Sequence, residues 1–453
     1  MGTGLMQGTA AARWQRAPAR WQIAGLLALP YLLTVAVLRG LTVTMPTYHG
    51  GDELTYHLPT IDQFHDQLPG VDLVDYPAAQ TPLYHLLTAL WGSLVGMELW
   101  RLRIVGVVAS YVAVLVLYRL LRRHAALDAW PAAGLALVFA LSPYVFGQSF
   151  ILVTDNLGLL FCLLAIERFL AFSRGDGLPL TPFALACLWL CLALLTRQSY
   201  VWLGLFGGVW LLSRPGIDRR RIAQGIGLLA LAAVPFAALV IAWRGIVPVG
   251  GDPASCGLCA PEQGRLGWRD ASPLRAPLFT LAVLAIYGPL LFWRPAWDAL
   301  RAADRATLRS WARTALIGFG LALLVLLIVP LSYGKGDEGF LWRVSRSGPL
   351  LLDSSWLFWL LVPLGSAVAA LGLRRAGWRS LPAVLFVTFL VAQLATRLPY
   401  QKYFDPFVLL VCLLALRRSD LRSWRDALGP VAIVALSLLY VGAFAAGLIL
   451  VES

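Results

Sequence analysis

Long apolar runs recur from residue 22 to residue 450, separated by short polar stretches. A helix crossing the hydrocarbon core of a bilayer needs about 20 such residues. On that measure the sequence predicts about thirteen spans, at 22–41, 102–121, 130–150, 156–172, 181–196, 198–213, 222–244, 276–293, 313–331, 350–373, 380–396, 405–416 and 428–450. The run at 82–97 is apolar too, but its length is marginal and it follows a polar stretch. It is expected to lie flat at the interface as an amphipathic helix. The runs are continuous rather than alternating, which excludes an outer-membrane barrel. Lipid otherwise admits only helices, because every backbone polar group needs an internal partner there. The predicted fold class is therefore all-α: a polytopic membrane protein, one domain over 1–453, with a long first outer loop at 42–101 carrying interfacial helices.

Composition supports this pattern. The chain is 59% hydrophobic and 13% charged, against about 25% charged in soluble domains. That excludes a soluble multidomain enzyme, a disordered chain and a secreted disulfide scaffold. The net charge of +13 would suggest nucleic acid on a soluble protein. Here the basic residues sit in short loops, so the charge reads as topology and no nucleic-acid partner is expected. With the N-terminus and its Arg13, Arg16 and Arg20 in the cytoplasm, the clusters Arg122-Arg123, Arg219-Arg220-Arg221, Arg374-Arg375 and Arg417-Arg418 all fall inside. Counting 82–97 as a span would invert every later loop. An integral multi-pass protein with its N-terminus cytoplasmic follows, and a bacterial inner membrane is the favoured setting. Cys256 and Cys259 form a C-x-x-C in a polar loop without the second half of a zinc site, so a local disulfide is preferred if that loop faces an oxidising compartment.

The unusual polar residues converge on the outer side. The first outer loop holds Asp52, Glu53, Asp62, Asp66, Asp72 and Asp75, together with His49, His57, His65 and His85. A connection this long is ordinarily functional or disordered, and its aromatics and helical patterns argue against disorder. Asp52 follows Gly50-Gly51 and is placed to act as a general base; a helix cap is the plainer and compatible role. Asp155 lies at the outer end of the third and fourth spans, as a cap or as part of an outward cavity. Arg197-Gln198 sits in a tight break between two short runs, where an arginine needs a carboxylate partner or an anion. Two later segments add Trp342, Arg343 and Arg346, as a lid supplying cations to an anionic headgroup or as a solvated loop with an aromatic-belt residue, then Lys402 and Tyr403, as contacts to a phosphate and a sugar hydroxyl or as snorkels to lipid headgroups. The histidines are not spaced as a compact metal site. There is no P-loop, so ATP drive is not expected, and few ionisable groups lie mid-span.

In this order the motifs resemble the GT-C superfamily, membrane glycosyltransferases that use polyprenyl-phosphate sugars. They are most similar to the dolichyl-phosphoglucose alpha-1,2-glucosyltransferase family. The matching positions are Asp52, Glu53, Tyr56, His57 and Pro59; Thr81, Pro82, Leu83 and Tyr84; Thr154 and Asp155; Arg197, Gln198 and Trp202; Asp337 with Trp342 and Arg343; and Lys402, Tyr403, Phe404 and Pro406. The chain departs from the family pattern in three ways. The Asp-Glu to His spacing is one residue longer, the Asn-Arg-His of the late loop is absent, and Lys402 stands where arginine is usual. The resemblance implies an inverting transfer of a hexose from a polyprenyl-phosphate donor to a hydroxyl of a glycan or glycolipid acceptor. It implies Asp52 as base and a substrate-binding set of Glu53, His57, Asp155, Arg197, Gln198, Trp342, Arg343, Arg346, Lys402 and Tyr403. No cofactor is expected, with a divalent metal at Asp155 and Glu53 as the lesser alternative. The competing function is a multi-span transporter or lipid flippase with an acidic and histidine-rich outer vestibule.

Overall fold

The computed structural model describes residues 20–38, 51–174, 179–251, 272–332, 339–396, 399–421, 426 and 428–451. The C-x-x-C pair, His49, Gly50 and Asp337 lie outside the described residues. The helices are α1 (Arg20–Leu38), α2 (Leu58–Gln67), α3 (Leu83–Val95), α4 (Ile104–Arg123), α5 (Ala129–Ala140), α6 (Asp155–Arg174), α7 (Leu180–Thr196) and α8 (Val201–Leu212). They continue with α9 (Arg219–Trp243), α10 (Arg275–Ala302), α11 (Arg305–Ile328), α12 (Phe340–Arg346), α13 (Trp356–Ala376), α14 (Leu381–Ala392), α15 (Gln401–Ala415) and α16 (Leu428–Val451). A π-helical stretch, Glu53–His57, leads into α2. The strand pairing described is one small hairpin, Leu350–Leu351 against Ser354–Ser355.

The molecule is a multi-pass membrane protein of the all-α class, helical in its described residues but for that hairpin and the connecting turns. Each apolar segment expected from the sequence falls on helix, although 350–373 opens with the hairpin before α13 begins. Among the described residues six helices are long and apolar enough to cross a membrane alone, or seven if Ala129–Ala140 and Pro143–Phe150, bent by 68°, form one broken span. By length the structure thus supports fewer full crossings than thirteen. A helix of 12 residues such as α8 or α14 rises only about 18 Å, short of a hydrocarbon core of about 30 Å. The bend has a local cause. Ser142 leaves the helical conformation and Pro143 starts the next turn, where its missing N–H costs nothing.

A continuous apolar cluster runs through the bundle. α6 packs against α4 and α7, while α10 packs against α13 and α15. Small residues permit close helix approach: Gly365 of α13 lies on the Leu281 carbonyl of α10, and Gly429 of α16 on that of Leu290. α9 and α11 keep apolar side chains such as Ile241, Leu231 and Leu316 exposed, as lipid-facing helices do.

The basic clusters gather at one end of the bundle. Arg119 and Arg123 at the end of α4 pair with Glu167 of α6 at 2.8 and 3.1 Å, Arg375 with Asp420 at 2.6 Å, and Arg418 with Asp128 at 3.1 Å. Asp155, at the start of α6, lies about 18 Å along that helix from Glu167, at the other end.

Candidate functional site

The acidic first loop is tied down at this second end. Its π-helical stretch begins beside Asp52 and closes with the Leu58 N–H donating to the Glu53 carbonyl. In an α-helix, residues five apart are separated by about 140° around the axis. An i to i+5 ladder winds more widely and brings such residues near one face. The one-residue-longer spacing from Asp52 to His57 is therefore absorbed locally, and both side chains serve the same region.

Asp52 accepts from Lys402 Nζ at 3.3 Å. Lys402 is only 7% exposed in its side chain, whereas Asp52 keeps 23%. Lys402 therefore does not snorkel; it turns inward from the start of α15 and joins two parts of the chain 350 residues apart. Arg197, in the break between α7 and α8, binds Asp155 at 2.6 Å with 8% and 17% side-chain exposure. Its guanidinium lies 4.2 Å from the Tyr403 ring centroid, and Lys402 Nζ lies 5.4 Å from the same ring. Two cations thus lie against one aromatic ring, an arrangement favoured by the ring quadrupole.

Asp155, Arg197, Gln198, Lys402 and Tyr403 line one cleft together with Gln80, and Asp52 reaches it through Lys402. Gln198 donates to the carbonyls of Ala79 and Ile246 at 2.7 and 3.3 Å, so it also anchors the loop that carries Gln80. Removing charges from water costs several kcal/mol per ion, about as much as pairing returns. Two buried pairs at one cleft are therefore a weak device for stability and a good one for presenting cations to an anion.

His57 and His85 form a second element, both buried. His57 Nδ1 and His85 Nε2 are 2.9 Å apart, and the rings stack with centroids 5.2 Å apart. Burial drives the His57 imidazole well below its usual pKa of 6.5, and His85, Lys402 and Arg197 reinforce the shift. Burial also pushes His85 down to about 3. Both are neutral at physiological pH, so His57 offers hydrogen bonding rather than charge beside the two cations.

The remaining expected residues are placed differently. Both Glu53 oxygens are taken by Arg103 at 2.8 and 2.6 Å, and Oε1 also accepts from the Leu152 N–H at 2.7 Å. Glu53 is 1% exposed and fastens the loop to the segment before α6. Trp342 is fully buried, stacked on Phe279 at 4.9 Å, and donates to the Pro399 carbonyl at 2.9 Å. Its geometry is that of a packing residue holding α12 against the entry to α15. Arg343 and Arg346 are exposed on α12 and do not line the cleft. α12 itself is held close by: the Phe340 N–H donates to Tyr144 Oη at 2.9 Å and the Leu341 N–H to Gln401 Oε1 at 2.8 Å. Gly339, at φ +127°, permits this, since a side chain there would strike Gln401 and Tyr144. Sequence reasoning missed Gln80, Arg103 and Tyr144. Arg103 was legible only as an odd charge at the start of a span; the other two carry no sequence signal.

Residues 79–243 match the family model of dolichyl-phosphate-mannose-protein mannosyltransferase. The match includes His85, Asp155, Arg197 and Gln198, and stops short of Asp52 on one side and Lys402 on the other. It differs from the glucosyltransferase family named from the motifs, but both names give a dolichyl-phosphate sugar. Among solved structures, the chain is similar to ArnT from Cupriavidus metallidurans in the apo state, with 14% identity over 87% of this chain and 78% of that one, at a TM-score of 0.37. It is similar to the same protein bound to undecaprenyl phosphate, with 16% identity over 86% and 78% and a TM-score of 0.41. It is also similar to the archaeal oligosaccharyltransferase AglB from Archaeoglobus fulgidus in complex with an inhibitory peptide and a dolichol-phosphate, with 15% identity over 87% and 50% and a TM-score of 0.41. Comparison with curated protein sequences gives no significant match.

Proposed function

We propose that the protein is an inverting membrane glycosyltransferase. It moves a hexose from a polyprenyl-phosphate donor to a hydroxyl of a lipid-linked glycan or other acceptor at the outer face of the membrane, with its N-terminus in the cytoplasm. The observation that carries this reading is the convergence of Lys402, Arg197 and Asp155 on one cleft, with Asp52 paired to the Lys402 of that cleft. The family match supports the donor class.

In this mechanism the acceptor hydroxyl oxygen attacks the anomeric carbon, and the bond from that carbon to the phosphate oxygen breaks. The hydroxyl proton passes to the Asp52 carboxylate. Polyprenyl phosphate leaves with the bonding pair, and Lys402 and Arg197 stabilise its added negative charge. The leaving phosphate needs no protonation, so one carboxylate suffices, unlike the two-carboxylate arrangement of glycosidases. Asp155 holds Arg197 in place, and neutral His57 supplies a hydrogen bond beside the two cations. Lys402 touches Asp52 before the donor binds; a phosphate arriving there competes for the ammonium and loosens its hold on the carboxylate. The mechanism routes no step through a metal or other cofactor.

The test is transfer from radiolabelled polyprenyl-phosphate hexoses in membranes containing wild type or Asp52→Asn. Asn keeps the shape but is not a base. Transfer by the wild type and its loss in Asp52→Asn at equal expression are expected. Equal transfer by both removes Asp52 as base, and a wild type inactive with every donor and acceptor removes the transferase reading in favour of a transporter.

A further inference from the structure

Gln80 is 8% exposed, lines the cleft, and its side-chain Oε1 has no hydrogen-bond partner. Its backbone, by contrast, is held firmly. Tyr76 Oη donates to the Gln80 carbonyl at 2.8 Å, and Gln198 donates to the Ala79 carbonyl at 2.7 Å. On either side, Thr60 Oγ1 accepts from the Ala78 N–H at 3.0 Å, and Thr81 Oγ1 donates to the Leu194 carbonyl at 2.8 Å. The loop is thus stapled to α2, α7 and the α7–α8 break, while Oε1 of the Gln80 side chain, a residue that lines the cleft, is left without a partner. Buried polar groups are nearly always paired, and an orphan in a rigid setting calls for an explanation.

We infer that Gln80 is a sugar-recognition residue, and that its amide pairs with a hydroxyl of the transferred hexose. The inference rests on the transferase reading above and deepens it. The cations Lys402 and Arg197 suit a phosphate, but an amide carbonyl does not, because an ionised phosphodiester carries no proton to donate to it. A hydroxyl donates as well as accepts, so it can satisfy the Gln80 carbonyl. Gln80 is therefore suited to a neutral polyol bound in the same cleft as the cations. A site built to hydrogen-bond a hydroxyl rejects the analogue lacking it far more strongly than an apolar pocket would, since the site's own group is left unpaired.

The experiment measures kcat/KM for wild type, Gln80→Met and Gln80→Leu in vesicles containing the full chain. The donors are polyprenyl-phosphate glucose, mannose and galactose, each also in its single-deoxy forms. The thermal midpoint of each variant is measured alongside. With the preferred donor, both substitutions are expected to lower kcat/KM by roughly tenfold to a hundredfold. That loss is expected to vanish for one deoxy analogue, the one missing the hydroxyl that Gln80 binds. The midpoints are expected to equal or exceed that of the wild type, because the substitution removes an unsatisfied buried group. Equal kcat/KM in wild type and both variants overturns the inference, as does a loss of the same size for every deoxy form, or a fall in midpoint that tracks the loss of activity. These outcomes leave the transferase reading standing. A wild type that transfers none of the sugars overturns that reading and this inference together.

Discussion

The two ends of the bundle both pair arginine or lysine with carboxylates, yet they do so in opposite settings. At the end holding the basic clusters the cations face water: Arg119, Arg123 and Arg418 keep 46%, 65% and 70% of their side-chain surface exposed. At the cleft end Lys402 and Arg197 keep 7% and 8%. A pair exposed on both sides, as Arg418–Asp128 is, loses little water and contributes about 0–1 kcal/mol. Buried pairs have surrendered their hydration, so each partner depends on the other or on an incoming ligand. The number of ion pairs therefore does not mark the site; the burial of their cations does.

The largest effect expected from breaking this contrast is chemical. Asp52→Asn should lower sugar transfer by about 10²- to 10⁴-fold, the usual contribution of a positioned general base, with little change in expression. The radiolabel assay checks this. Next comes stability. Arg197→Met strands Asp155 and should cost about 3–5 kcal/mol, measured by thermal or denaturant unfolding in detergent. A cost below about 1 kcal/mol would mean that the cleft pair behaves like those at the other end.

The histidines provide a pH-dependent version of the same test. The folded pKa of His57 lies below its ordinary value of 6.5 through burial, then His85, Lys402 and Arg197. The unfolded chain therefore binds more protons in this window. The stability contributed is full above about pH 6.5 and is lost as pH falls below it. The slope is at most about 1.4 kcal/mol per pH unit for each histidine, and His85, pushed down to about 3, adds to it. His57→Gln is expected to flatten the profile between pH 6.5 and 4.5; unfolding curves at several pH values decide this. The smallest effect belongs to the exposed end. Arg418→Met, which breaks the pair with Asp128, should cost less than about 1 kcal/mol, and even that should fade in high salt.

Much of the site was legible in the sequence for a physical reason. Charges and amides set among apolar runs are costly unless they are paired or used, so Asp52, Asp155, Arg197, Gln198, Lys402 and Tyr403 stood out, and five of these six line one cleft while Asp52 pairs with one of the five, Lys402. Glu53 and Trp342 stood out equally, yet the structure makes them fasteners for the first loop and for α12. A single sequence does not separate these uses, because a buried carboxylate and a buried indole look the same whether they meet a ligand or a neighbouring helix. Gln80 and Tyr144 gave no signal, since one glutamine in a loop and one tyrosine near a break are ordinary.

What the sequence determined by itself was the material of the fold: apolar runs long enough to demand helices, and short basic loops between them. That outcome follows from local chemistry, because lipid leaves the backbone no other way to satisfy its hydrogen bonds. What the tertiary structure decided was who meets whom. The pairing of Asp52 with Lys402 across 350 residues, and the bringing of Gln80 to the same cleft as Arg197, depend on how the helices pack and where they break. The π-helical turn at Glu53–His57 belongs to both levels. One extra residue is written in the sequence, but whether it widens the helix or shifts its face is settled by the partners waiting on each side.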